Sequence, residues 1–308
     1  MSKSKIKPYL YLLPGIILLV VFVYYPICCN IGYSFLKWDL FSGHKTFIGF
    51  SNYKNLFASK EFWPALRNNL WYIGISLFFQ VGIALIFAAF LENMRHRRIS
   101  ALLRTVYFLP SLISLTVIGL LFTFIYRPDG LLNSLLELMH LGSLTHGWLG
   151  EADTAIFAVI AVSQWKSIGY TMMLLIVAIQ KIPQDLNEAA YIDGASKTQT
   201  FFHITVPNIR GMLRIAMMIN ITGGLLVFNE VYIMTAGGPY GSSDVLSTLM
   251  YENAFVHGKV GYAAAIADII LVLSVLFSAL QFISPNKDAE KAKHAQKKAA
   301  KRQVAKAK

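Results

Sequence analysis

The sequence predicts an all-α membrane protein with six transmembrane helices, and three observations carry that prediction. Of 308 residues, 56% are hydrophobic and 14% charged, at a mean hydropathy of +0.52, more apolar surface than a water-soluble fold of this length can hide. Three stretches, Pro8–Leu36, Asn68–Leu91 and Thr105–Tyr126, hold no charged residue and reach the ~20 residues that a bilayer core asks of a helix. Three more, roughly 154–180, 212–234 and 261–283, carry Lys166, Glu230 and Asp268 respectively.

The first run follows Lys3, Lys5 and Lys7, as the apolar part of a signal peptide would. It is too long for one and ends in Pro26, Cys28 and Cys29 without a small-residue cleavage pattern, so it reads as an uncleaved span. Those two cysteines are the only ones in the chain and are neighbours, which leaves no disulfide framework and no thiolate metal site.

Lysine and arginine fix the expected orientation. With a cytoplasmic N-terminus, the inside segments 1–7, 92–104, 181–214 and 284–308 carry 3, 4, 4 and 9 of them, against 5, 1 and 1 in the outside segments. That asymmetry predicts N-in and C-in. The outside segment 36–67 interleaves five basic residues with Trp38, Phe47, Phe50, Tyr53, Phe57, Phe62 and Trp63, the pattern of an amphipathic segment at the membrane interface.

The net charge of +12 does not indicate nucleic acid, because nine of the basic residues crowd into 284–308 among alanines. That stretch reads as a disordered, basic cytoplasmic tail, either a solvated topology anchor or a segment drawn to anionic headgroups. The organisation is therefore a short cytoplasmic N-terminus (1–7), a transmembrane domain (8–283) and the tail.

Between the fourth and fifth spans lies a polar loop, 181–211, containing "NEAAYIDGASKTQTFFHITVPNI". Pro183 starts a helix for which Asp185 and Glu188 have capping-box spacing. Gly194 ends it, and a second helical stretch, Lys197 to Thr205, is stopped by Pro207. Ala189, Ala190, Gly194 and Ala195 let another surface come close to the backbone, while Tyr191, Phe201 and Phe202 supply apolar anchors. A docking element and an ordinary helical connection both fit that pattern.

Nearly position for position, "EAAYIDGASKTQTFFHITVP" resembles the EAA motif of bacterial ABC-importer permeases. "FNEVYIMTAGGPYGSSDVLSTLMYENAF" (228–255), followed by "GYAAAIADIILVLS", is similar to the carbohydrate-importer branch, as are "YLYLLPGIILLVVFVYYPI" and "FIGFSNYKNLF". The resemblance spans roughly residues 9–283 and implies the type I importer permease (MetI-like) fold in the bacterial cytoplasmic membrane. It implies that Glu188, Ala189, Ala190, Asp193, Gly194, Ala195, Phe201, Ile204 and Pro207 form a coupling helix seated in a cytoplasmic ATPase. The implied partners are two ABC ATPase subunits, a second permease subunit that is a different chain, and an extracytoplasmic sugar-binding protein. Val206 before the proline and Gly211 after it depart mildly from the family pattern.

No G-x-x-x-x-G-K-[ST] occurs, so ATP is expected to be used by the partner subunits and the chain itself to need no cofactor. No H-E-x-x-H or Cys/His cluster suggests a hydrolase or a metal site. Ionisable groups within spans are costly and face the bundle interior or a water-filled cavity. Lys166, Glu230 and Asp268 thus read either as a structural ion pair, Lys166 with Glu230 or Asp268, or as a polar lining. Gln164, Asn220, Asn229, Tyr232, Trp165 and Tyr170 could complete a sugar path with Glu230 and Asp268, with Phe228, Val231 and Met234 facing lipid or neighbouring helices. Gly223-Gly224 marks where the fifth span can thin or break. A rival reading is a proton-coupled secondary transporter relaying protons through Glu230 and Asp268.

Overall fold

The computed structural model describes residues 7–283, so the basic tail lies outside the described residues. The chain there is built of helices joined by turns and loops, with one short antiparallel hairpin, β1 (Leu36–Trp38) and β2 (Lys45–Phe47), that the sequence did not predict. The hairpin follows from its turn: the Asp39 carboxylate accepts hydrogen bonds from the Phe41 and Ser42 amides, each at 2.9 Å, which fixes the reversal.

Among the described residues, four helices are long and apolar enough to cross a membrane: α1 (Tyr11–Ser34), α3 (Phe62–Glu92), α7 (Ala155–Ile179) and α12 (Val260–Ile283). Between the hairpin and α3 lies the short α2 (Ser51–Ala58). The third expected span, Thr105–Tyr126, is not straight. It is split into α4 (Arg97–Leu112) and α5 (Leu115–Ile125), bent by 95°. Pro110 has no amide to donate within α4, and Ile113 and Ser114 are extended, so the helix ends there despite unbroken apolarity.

The fifth expected span also fails as a single helix. α9 (Arg210–Leu225) stops just past Gly223-Gly224 and a new helix, α10 (Asn229–Met234), begins after Phe228. Sixteen residues at 1.5 Å each reach about 24 Å, short of a bilayer core of about 30 Å. Shorter helices include α6 (Leu131–Leu138), α8 (Gln184–Ile192) and α11 (Leu246–Tyr251).

α7 is the central post: 56% of its most apolar window is buried, against 33% for α3 and α12 and none for α1. Close approach to it and around it depends on missing side chains. A Cβ on Gly169 of α7 would overlap the Tyr107 carbonyl of α4, and one on Gly224 of α9 would sit 2.6 Å from Ile73 Cγ1 of α3. One cluster, including Tyr72, Ile118, Val159 and Val231, packs where α3, α5, α7 and α10 meet. A second, including Ala88, Leu175, Ile176 and Ile209, packs toward the polar loop. The bundle thus has a hairpin end and a loop end, with α7 running between them.

Candidate functional site: the polar loop and the buried polar seam

At the loop end, α8 carries no side-chain cap. Pro183 occupies the capping position, and Asp185 and Glu188, both exposed, make no side-chain hydrogen bond among the described residues. The capping box forms one helix later. Ser196 Oγ accepts from the Gln199 amide at 3.3 Å and Gln199 Oε1 accepts from the Ser196 amide at 2.8 Å. Between the two, Gly194 has φ +78°, its amide donates to the Tyr191 carbonyl, and the Ala195 amide donates to the Ala190 carbonyl. Open space surrounds Gly194, so the left-handed backbone, and not crowding, is what calls for glycine there.

After the corner the chain runs through Lys197–Thr200, Phe201–Thr205 and Val206–Asn208 as consecutive helical turns. Pro207 therefore opens the last of these turns and does not end the segment, because a first-turn proline has no amide that the helix would have used. Phe201 is half-buried against the second core cluster, and Ile204, Ala195 and Pro207 are half-buried as well. Ala190 is buried, whereas Ala189 and Asp193 are exposed. The uncovered apolar groups are Tyr191 (57% exposed), Phe202 (60%) and Ile192 (86%), the last of which sequence reasoning missed. A hollow of about 350 Å³ opens beside them, lined by Asp193, Gly194, Gln199, His203 and Ile204.

One carboxylate joins the helices above this loop. Glu92 Oε2, at the end of α3, accepts from Arg104 of α4 at 2.7 Å and from Gln180, the residue after α7, at 3.0 Å. Arg104 also donates to the Leu91 carbonyl.

Midway along the bundle a polar seam joins α3 to α7. Gln164 Nε2 donates to Ser76 Oγ at 3.1 Å, Gln80 Nε2 donates to Gln164 Oε1 at 3.0 Å, and the Tyr72 hydroxyl donates to Ser163 Oγ. Gln80 sits in a widened π-helical turn, Leu77–Ile83. Beside the seam is a cavity of about 200 Å³ lined by Tyr72, Ser76, Ser163, Tyr170, Asn220 and Glu230 among others. Glu230 Oε1 lies 3.4 Å from the Tyr72 hydroxyl, whose proton is directed to Ser163. Among the described residues, no ion pair within 4.0 Å joins Lys166 to Glu230 or Asp268.

The structure therefore brings Gln164, Asn220 and Glu230 together but not Asp268. That carboxylate accepts from Asn30 of α1 and from the Tyr53 hydroxyl of α2, each at 2.7 Å, and holds three elements near the hairpin end. It shares no partner with Glu230 among the described residues. Val231 and Met234, expected to face lipid or neighbouring helices, face neighbouring helices and are buried in the first core cluster. Asn229 and Tyr232 are exposed on the other side, and there Phe228, Tyr232 and Tyr251 form a mutually touching aromatic group with centroids 5.0 to 5.2 Å apart. Trp165 packs on Phe122 at 5.4 Å. Tyr72, Ser76, Gln80 and Ser163 escaped sequence reasoning; their only signal was polarity in the middle of a span.

Near the hairpin end, the loop between α10 and α11 folds around Asp244, whose Oδ1 accepts from Thr248 Oγ1 at 2.8 Å. Burial pushes its carboxyl up to about 6.

Residues 80–287 match the family described as binding-protein-dependent transport system inner membrane component. The chain is 50% identical over 281 residues to the probable ABC transporter permease protein YurN of Bacillus subtilis (strain 168), covering 91% of this chain and 96% of that one. It is 31% identical over 272 residues to the trehalose/maltose transport system permease protein MalF of Thermococcus litoralis, covering 88% and 90%. A solved bacterial alginate ABC transporter, in complex with an alginate pentasaccharide-bound periplasmic protein, contains a chain similar at 25% identity with a TM-score of 0.78, over 91% of this chain and 93% of that one.

Proposed function

Because the chain belongs to the binding-protein-dependent transport system inner membrane component family, we propose that it is one transmembrane subunit of an ATP-driven sugar importer in the bacterial cytoplasmic membrane. The observation that carries this reading is the loop of residues 181–209. It lies within the matched region and leaves Tyr191, Ile192 and Phe202 uncovered around a glycine corner. Exposed aromatic and aliphatic anchors beside a hollow are what a docking surface needs, and the ATPase subunits are the partners it fits. Glu188 and Asp193 sit on its exposed side, where they can meet charges on that partner.

Sugar is the solute class that the relatives' names and the seam's chemistry support together. Hydroxyl groups need donors and acceptors at close spacing, and Asn220, Glu230, Tyr72 and Ser76 offer both around one cavity. Tyr232, Phe228 and Asn229 add aromatic area and an amide on the approach. A second permease chain and an extracytoplasmic binding protein complete the assembly, and ATP is consumed by the partners.

The test is co-purification of the chain with its ATPase and second permease, followed by ATP hydrolysis measured with and without the sugar-loaded binding protein. Stimulation by the loaded binding protein is expected; a chain that transports sugar in liposomes without any ATPase would overturn the reading. A single-cysteine series from Asn220 to Met234, with Cys28 and Cys29 replaced, tests the path. Labelling by a water-soluble thiol reagent should include 229 or 230, spare 231 and 234, and fall when sugar is trapped.

A further inference from the structure

A hollow larger than the intramembrane cavity, about 710 Å³ against about 200 Å³, lies at the hairpin end, beneath β1 and between α2 and the start of α12. It shares no lining residue with the seam cavity, and its volume falls within the roughly 300–1,000 Å³ of ligand pockets. Two asparagines in its wall are almost fully buried, Asn52 at 6% and Asn253 at 4% exposure. Each spends its Nδ2 on main-chain carbonyls: Asn52 on Ser34 and Leu36, Asn253 on Leu249. No group among the described residues donates to either Oδ1. Neither oxygen is sealed in the protein: both open into the hollow, where a ligand's donor can take the place of water.

The rest of the lining narrows what that something is. Lys37, Lys60 and Lys259 supply ammonium donors, Asp39 and Glu61 supply carboxylate acceptors, and Trp38 and Tyr262 supply aromatic area. An inorganic anion would be drawn by the three ammonium groups but would leave the two carboxylates and the two amide oxygens, which it cannot donate to, facing it unsatisfied. A lipid chain would strand every one of these polar groups. A hydroxyl both donates and accepts, so a ring bearing several of them satisfies ammonium, carboxylate and amide oxygen at once while its C–H face rests on the aromatics. We infer that this hollow is a second saccharide site, separate from the intramembrane cavity. It rests on the chemistry of its lining and takes from the transport reading only the class of solute to offer.

The experiment uses the full chain, in the complex with which it purifies, in lipid nanodiscs with Cys28 and Cys29 replaced by serine. Asn55→Cys reports on the new site, since Asn55 is an exposed lining residue; Gly223→Cys reports on the seam cavity. Each is labelled with a water-soluble maleimide against a panel of neutral and uronate-containing oligosaccharides, with sodium phosphate as the anion control. A panel member should slow labelling of Asn55→Cys about tenfold when present at ten times its half-protecting concentration. Glu61→Gln, a change at an exposed residue, should raise that concentration without altering protection of Gly223→Cys. Protection of Asn55→Cys alone supports the second site and leaves the transport reading to its own test. Protection of Gly223→Cys alone, or of Asn55→Cys by phosphate and by no saccharide, overturns the second site.

Discussion

Glu188 and Glu230 are the same side chain in opposite circumstances. In the loop, Glu188 is exposed and unbonded, and the segment is held by main-chain bonds, one capping box and one glycine. In the seam, Glu230 is mostly covered and lies within a chain of side chains that bond to one another across α3 and α7. The loop is therefore shaped by local backbone geometry and keeps its side chains free for a partner. The seam is shaped by tertiary contacts and has spent its side chains within the molecule, which leaves only the cavity edge for a solute.

If that contrast holds, substitutions that crowd the seam damage the fold, and substitutions in the loop damage function. Gly224→Leu is expected to have the largest effect. Its side chain must displace Ile73 and disturb the Asn69 bond to the Gly224 carbonyl at 2.7 Å. Overpacking costs about 1–3 kcal/mol and more where backbone cannot yield; unchanged thermal unfolding in detergent would contradict the close packing. Gly194→Pro comes next. Proline cannot adopt φ +78° and removes the amide that bonds to Tyr191, so uptake should be lost while membrane insertion and unfolding temperature stay near those of the parent. Normal uptake by that variant would refute the loop's role in coupling.

Ser196→Ala should cost about 1 kcal/mol, the usual worth of a helix cap, seen as faster hydrogen exchange confined to residues 196–200. Exchange spread into α3 or α7 would show that loop and seam are not independent. The smallest effect concerns Asp244. Its carboxyl, raised to about 6 from an ordinary value near 3.8, binds its proton more tightly in the folded protein than in the unfolded chain. The stability this gives is fully present below the ordinary value, declines as pH rises through about 6, and is gone above it. Unfolding temperature should thus fall modestly between about pH 4 and 6, and Asp244→Asn should flatten that slope.

Much of the loop was legible in the sequence because its determinants are neighbours in the chain. The Gly194 corner and a helical stretch on either side of it were read correctly, although Pro207 does not end the second one. The cap was misassigned to Asp185 and Glu188 because two segments fit the same spacing, and Pro183 decides against the first. The seam was not legible, since Ser76 and Gln164 are 88 residues apart and nothing local couples them. Long apolar helices were read from hydropathy, but hydropathy carries no geometry. It passed over the bend after Pro110, while Gly223-Gly224 did foretell the break before α10.

The Glu92 carboxylate has a mechanical consequence. By gripping Arg104 and Gln180 together, it removes the relative freedom of α3, α4 and α7 at the very level where the chain leaves α7 for the loop. A force applied at Tyr191 or Ile192 then reaches a stiff tripod, not a single post, and strain in it is shared by three legs. α9 joins the loop through the short turn Val206–Asn208 and ends at a second break, Leu226–Phe228. Its contact with α3 at Gly224 and Ile73 ties the cavity edge it carries, Asn220 and Gly223, to one leg of that tripod.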